Sequence, residues 1–351
     1  MNDVLVLLVS LVIILLGAEL FTNSIEWFGR RLGLAEGAVG SVLAAVGTAL
    51  PETLIPVIAI VFTAGAASDE IGVGAILGAP FMLATLAMFV TGIGIVVFRK
   101  RRASGTTLVV DTGVLAHDLR YFFVGYGLAI AAALIPPGLG LARGLVAIVL
   151  IGLYAWYVKG HFGADVAEEG HELAPLRFHR LDGRARRQEP IVPRLRVIVV
   201  QVLAALGFII VGAIFFIDAV EHVATTLGVS QVLLALVIAP IATELPEKFN
   251  SIIWVRQNKD TLALGNITGA MVFQSMLPTT IGMVLAADTW RIGEGSYTAF
   301  VSAGIALIAT AVIFIPAQRR GSLDARHLLV GGIFYLGYLA FILVVVAGGR
   351  P

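Results

Sequence analysis

Ten stretches of mostly apolar sequence divide this 351-residue chain, and no other feature restricts its fold as severely. They run over about 4–28, 38–64, 71–98, 120–136, 140–159, 195–220, 229–255, 261–287, 297–317 and 327–348. About 20 apolar residues of helix cross a bilayer core. Inside lipid the backbone must satisfy its own hydrogen bonds, which favours helices. The chain is therefore expected to be an all-α polytopic membrane protein with ten transmembrane helices. Composition agrees: 58% of residues are hydrophobic and 13% charged, where a soluble domain has roughly 45–50% and 25%. A net charge of +1 gives no general case for nucleic-acid binding, and the absence of Cys excludes disulfides and thiolate metal sites. Met1-Asn2-Asp3 runs straight into apolar sequence without the basic region of a signal peptide, so it reads as the start of the first span.

One hydrophilic connector, 160–194, separates five spans from five. The chain accordingly reads as a first five-helix unit (1–159), a connecting loop (160–194) and a second five-helix unit (195–351). Basic residues orient membrane proteins by collecting in cytoplasmic loops. With the N-terminus outside, the inward loops receive Arg30, Arg31, Arg99, Lys100, Arg101, Arg102, Arg120, the Arg-rich stretch Arg177–Arg196, Arg256, Lys259, Arg319, Arg320 and Arg326. Outward segments keep only Arg143, Arg291 and Arg350. This predicts a multi-pass cell-membrane protein with both termini outside and the central loop cytoplasmic. The connector's acidic residues, Asp165, Glu168, Glu169 and Glu172, lack the spacing of a calcium-binding loop and read as a solvated face.

The two halves are related. Gly17–Ile60 aligns without a gap against Gly212–Val255, and Thr48-Ala49-Leu50-Pro51-Glu52 falls on Thr243-Glu244-Leu245-Pro246-Glu247. Further on, Gly74-Ala75-Ile76-Leu77-Gly78-Ala79 falls on Gly265-Asn266-Ile267-Thr268-Gly269-Ala270. An odd number of spans per half makes the second half enter from the opposite side, giving two inverted five-helix repeats. In transporters built this way substrate binds near the midplane, at broken helices from both halves.

Glu52 and Glu247 fall near the middle of their spans, where a charge costs at least about 2.5–3.5 kcal/mol and so signals function. Pro51 and Pro246 directly before them disfavour continuous helix. Freed carbonyls, the Thr48 and Thr243 hydroxyls and two carboxylates would converge as an all-oxygen cage for a hard cation such as Ca²⁺. At these residues the sequence resembles the sodium/calcium exchangers of the calcium/cation antiporter superfamily, over nearly the whole chain outside the connector. The resemblance implies that Glu52 and Glu247 are the Ca²⁺ carboxylates, with Thr48 and Thr243 as neighbouring ligands and no cofactor.

Departures from the family pattern bear on the counter-ion. Ala49, Ala79, Ala270 and Leu83 stand where oxygen-bearing side chains could hold Na⁺. Glu244 and Lys248 are additions one helical turn apart. Together with Glu52 and Glu247 they sum to −2, which one divalent cation neutralises. Glu244 and Lys248 read either as a supporting ion pair or as a tethered cation and a proton-carrying acid in place of lost Na⁺ sites. Asn266, Gln274 and Lys248 are candidate liners, and Ser251 and Asn250 candidate helix–helix hydrogen-bonding groups.

The implied function is a secondary active antiporter that moves Ca²⁺ or a similar divalent cation against Na⁺ or H⁺. Its expected partners are membrane lipid and inorganic cations, and it is expected to be a monomer. The alternatives are an exchanger with altered, proton-based coupling and a non-transporting sensor-like protein. No nucleophile–base motif or phosphate-binding loop points to an enzyme or an ATP-driven pump.

Overall fold

The computed structural model describes residues 2–31, 50–62, 66–136, 138–162, 174–181, 193–228, 251–252, 254–293, 296–320 and 322–347. They are almost entirely helical: α1 (Asn2–Arg31), α2 (Leu50–Phe62), α3 (Ala66–Met82), a π-helical turn (Leu83–Ala87), α4 (Met88–Phe98), α5 (Thr112–Ala131), α6 (Gly140–Phe162), α7 (Leu195–Leu227), α8 (Asp260–Leu285), α9 (Tyr297–Arg320) and α10 (Ala325–Ala347). Seven helical stretches among the described residues are long and apolar enough to cross a membrane, with Thr53–Phe62 a shorter apolar helix. Their outer faces carry exposed Leu, Val, Ile and Phe, including Leu5, Leu203 and Phe208, as a lipid-facing surface requires. Most of the expected 229–255 span lies outside the described residues, as does the first part of 38–64.

Helix α5 departs from its expected start at about 120. It opens at Thr112 because Asp111 caps it, its Oδ1 accepting from the backbone N–H of Gly113 at 2.8 Å and of Val114 at 3.2 Å. His117, Asp118 and Arg120 dilute the hydropathy of this segment, so the cap and not the apolar run sets the boundary. Part of the connector is described as well; the acidic residues expected to form a solvated face, Asp165, Glu168, Glu169 and Glu172, lie outside the described residues. Segment 174–181 lies against α1 and α7, with Leu176 buried beside Trp27, Val197 and Ile198. Buried Asn23 and Gln201 hold it: Asn23 Oδ1 accepts from Arg177 N, and Gln201 Oε1 accepts from Phe178 N.

Helices α1 and α7 form a tight pair whose contacts carry the repeat's symmetry. A Cβ on Gly17 would meet Ile209 Cγ1 at 2.8 Å and the Ala205 carbonyl at 3.0 Å. A Cβ on Gly212 would meet Ile14 Cγ1 at 2.8 Å and the Ser10 carbonyl at 3.1 Å. In the repeat alignment Gly17 matches Gly212, and continuing it N-terminally sets Ile14 against Ile209 and Ser10 against Ala205. Each contact is therefore the image of the other about a local two-fold axis, with the helices antiparallel. Small residues let helix backbones approach in just this way in membranes.

Helix α2 packs against α3, α7 and α8, so it joins this pair to the larger bundle. In that bundle α8 packs against α3, α5 and α6, and α10 against α4 and the π-helical turn. Gly331 of α10 lies directly on the Thr85 carbonyl of that turn, leaving no room for a Cβ. Three interhelical segments expected on the inner side, those after α4, before α8 and after α9, meet at one end. Strand β1 (Thr107–Leu108) pairs antiparallel with β2 (Leu323–Asp324), and Arg102 forms a fully buried pair with Asp260. At another end buried Arg143 binds the Ile135 and Ala287 carbonyls, capping the ends of the α5 segment and α8. A cation suits helix C-termini because the backbone dipoles leave partial negative charge there.

Candidate functional site

Helices α2, α3 and α8 bring together the described parts of the repeated motifs. Glu52 lies in α2, in the turn after Pro51, with its backbone helical. Thr48, Thr243, Glu244, Glu247 and Lys248 lie outside the described residues, as does Asn250. So does any helix break just before Leu50.

Two prolines add oxygen where the sequence reading did not look for it. Pro56 stands inside α2, four residues after Glu52, and has no N–H to give to the Glu52 carbonyl. Pro278 stands inside α8 in the same relation to Gln274. Each motif residue thus carries a backbone carbonyl that its helix cannot satisfy in the usual way. The signal was present as a proline four positions downstream of a candidate ligand.

The α3 motif, Gly74 to Pro80, is buried throughout. Tyr126 of α5 anchors it by donating its hydroxyl to the Leu77 carbonyl at 3.0 Å. The π-helical turn begins at Leu83, the position expected to bear a polar ligand. Such turns frequently mark functional places in helices.

On α8, Gln274 is 2% exposed, and its Oε1 has no hydrogen-bond partner among the described residues. The same holds for Asn266 Oδ1 and for Ser251 Oγ in the helical residues before α8. A buried polar atom without a partner costs about 1–3 kcal/mol, so such atoms call for an explanation. Asn266 and Gln274 are the two candidate liners that fall among the described residues. The helix–helix bond expected of Ser251 is not seen among the described residues.

A further acid escaped the sequence reading. Asp118 of α5 is 1% exposed and accepts from Tyr157 Oη at 3.0 Å and from Thr268 Oγ1 of α8 at 2.5 Å. The apolar run begins only after it, at about 120, and the Asp111 cap is the local signal that brings Asp118 into the helix. Glu19, an acid of the first span, pairs instead with Arg177 of the connector, both side chains about half exposed. Among the described residues no group of three or more His, Asp and Glu side chains forms a metal site.

These features define a polytopic helical membrane protein with unpartnered polar groups on and just before α8. The chain belongs to the sodium/calcium exchanger family: the family model "Sodium/calcium exchanger protein" matches residues 2–160 and 197–347. Its backbone is similar to that of the H⁺/Ca²⁺ exchanger CAX, with a TM-score of 0.72 at 16% identity, covering 99% of this chain and 85% of that one. It is also similar to the sodium–calcium exchanger NCX_Mj, with a TM-score of 0.53 at 17% identity over 96% and 97% of the two chains. In sequence it matches "Putative antiporter CaxA" of Alkalimonas amylolytica at 26% identity, over 40% of this chain and 43% of that protein. It matches "Uncharacterized membrane protein MJ0091" of Methanocaldococcus jannaschii at 23% identity over 76% of each.

Proposed function

We propose that this protein is a secondary active antiporter that moves Ca²⁺, or a similar divalent cation, across the cell membrane in exchange for Na⁺ or H⁺ by alternating access. The observation that carries this reading is the duplicated P-E motif within a chain of the exchanger family: Pro51-Glu52 and Pro246-Glu247 occupy matching positions in its two halves. Glu52 and Glu247 hold the divalent cation, supported by Thr48, Thr243 and Glu244, with Asn266, Gln274 and Lys248 lining the path. Ten helices in two inverted five-helix repeats, 1–159 and 195–351, carry the site, and 160–194 joins them. The image-related contacts of Gly17 and Gly212 support that arrangement. Both termini face outward and the connector lies in the cytoplasm, a placement supported by the distribution of Lys and Arg. The protein works as a monomer in lipid and needs no cofactor.

A second reading of the coupling rests on Ala49, Ala79, Ala270 and Leu83, which remove oxygens a Na⁺ cycle would use. There Lys248 acts as a tethered cation and Glu244 carries protons. Radiolabelled Ca²⁺ uptake into proteoliposomes under separately imposed Na⁺ and pH gradients tests both. Glu52→Gln and Glu247→Gln each abolish uptake on this proposal. Absence of gradient-driven flux of any divalent cation removes the antiport reading, and an unchanged pH dependence in Lys248→Ala removes the tethered-cation reading.

A further inference from the structure

The seam between α5, α6 and α8 holds a carboxyl that the proposed cation site does not use. Asp118 accepts from Tyr157 of α6 and from Thr268 of α8. The Thr268 hydroxyl has a second acceptor within reach, the Leu264 carbonyl at 3.0 Å. A hydroxyl carries one proton and can fully serve one acceptor at a time. Two acceptors therefore give this cluster two complete arrangements.

With Asp118 ionised, Thr268 donates to its Oδ2. With Asp118 protonated on Oδ2, the new O–H donates to Thr268 Oγ1, and the Thr268 proton turns to the Leu264 carbonyl. Tyr157 donates to Oδ1 in both. The only bond made is the O–H, its proton supplied by water. Within this set no group loses its partner, so the cost of stranding a buried polar atom does not oppose the change.

A shallow cleft open to solvent adjoins this cluster, lined by Asp111, Val114, Thr261, Leu264, Gly265 and Thr268. Its water-sized space is at the lower limit for one water. The titratable groups around Asp118 are few. On α5 they are His117 and Tyr121, and on α6 Tyr157 and Tyr154, with His117 stacked on Tyr157 at 5.5 Å between ring centroids. The nearest acid along α8 is Asp260 at its first residue, two turns from Thr268 and paired with Arg102. Helix α9 has no titratable residue between Tyr297 and Arg319.

We propose that Asp118 is a proton-binding site, charged from the cleft beside Asp111, whose protonation is passed to α8 through Thr268. Thr268 stands two residues after Asn266, so the switch acts on the helix that bears the unpartnered oxygens. This deepens the antiport reading by naming H⁺ as a coupling ion, and rests on it for the coupling alone.

Infrared difference spectra of the full-length protein in lipid, taken between acid and alkaline buffer without Ca²⁺, test the proton site directly. A protonated-carboxyl band is expected in the wild type, absent in Asp118→Asn and shifted in Tyr157→Phe. A band unchanged by both substitutions overturns the proposal. Should Asp118→Asn fold poorly, the wild type labelled with carbon-13 aspartate decides, because a band that does not shift is not an aspartate and overturns it as well. Ca²⁺ uptake then tests the coupling. One linked proton changes the apparent Ca²⁺ affinity by up to about tenfold per pH unit, a dependence expected to flatten in Asp118→Asn. Its survival in that variant overturns the coupling. An Asp118-dependent band in a protein that moves no divalent cation supports the proton site while removing the antiport reading.

Discussion

Replacing Asp260 by Asn keeps the side chain's size and removes its charge, at a place where the charge matters most. Arg102 Nη1 lies 2.6 Å from Asp260 Oδ1 and Nη2 lies 2.7 Å from Oδ2, with side-chain exposures of 0% and 1%. The guanidinium also donates to the carbonyls of Val255, Gly105 and Thr107, and Asp260 Oδ2 accepts from Val109 N at 2.9 Å. Asp260 therefore ties the segment before α5 to the first turn of α8. Opposite charges about 4 Å apart attract by about 4 kcal/mol at an effective dielectric of about 20. Cutting one partner from a buried pair typically costs about 3–5 kcal/mol, since the other charge is left buried alone. The two estimates agree.

Asp260→Asn is therefore expected to lower the unfolding free energy in detergent by about 3–5 kcal/mol. Arg102→Met is expected to cost at least as much, because it also strands three backbone carbonyls. The double variant should cost clearly less than the two singles combined, as contacting residues couple. Glu19→Gln provides the contrast: its pair with Arg177 is about half exposed, and such pairs contribute about 0–1 kcal/mol. A loss below about 1 kcal/mol for Asp260→Asn, or strict additivity in the double variant, refutes the reasoning.

Three further outcomes follow from the packing and the site. Gly17→Ala and Gly212→Ala should each destabilise by about 1–3 kcal/mol and by similar amounts, being images of one another; unequal losses in equilibrium unfolding would count against the two-fold pairing. Gly331→Ala should push α10 off the Thr85 carbonyl and lower thermal stability, whereas Gly337→Ala, with open space around it, should not. Gln274→Leu removes an oxygen that has no partner among the described residues, so stability should hold or rise while divalent flux falls by about fivefold or more, as losing one ligand of about 1–3 kcal/mol implies.

Periodicity and composition made the membrane-helical build legible because lipid leaves the backbone few alternatives. Where polar residues interrupt a span, that logic weakens. His117, Asp118 and Arg120 hid the first turns of α5, and a short-range hydrogen bond from Asp111 decided the boundary. In the connector, Leu176 and Phe178 pack against α1 and α7, a contact the charges around them give no sign of and only the fold shows. Asn266 and Gln274 were legible as candidate liners because they stand in or beside a repeated motif. The carbonyls of Glu52 and Gln274 are marked only indirectly, by Pro56 and Pro278 four residues downstream, and not by the chemistry of the two residues themselves.

The treatment of buried polar groups separates structure from function in this chain. Arg102 is matched by a carboxylate, Arg143 by carbonyls at two helix ends, and Asp118 by two hydroxyls. Each solution is local and uses neighbours from different helices, as expected where an unmatched group would cost more than the contact returns. Asn23 and Gln201 follow the same rule by binding backbone of the connector and of α1. Against that background, Asn266 Oδ1, Gln274 Oε1 and Ser251 Oγ stand apart, buried and without partners among the described residues. On the antiport proposal, these three oxygens on and just before α8 are ones that a hard cation suits, since such cations take oxygen ligands.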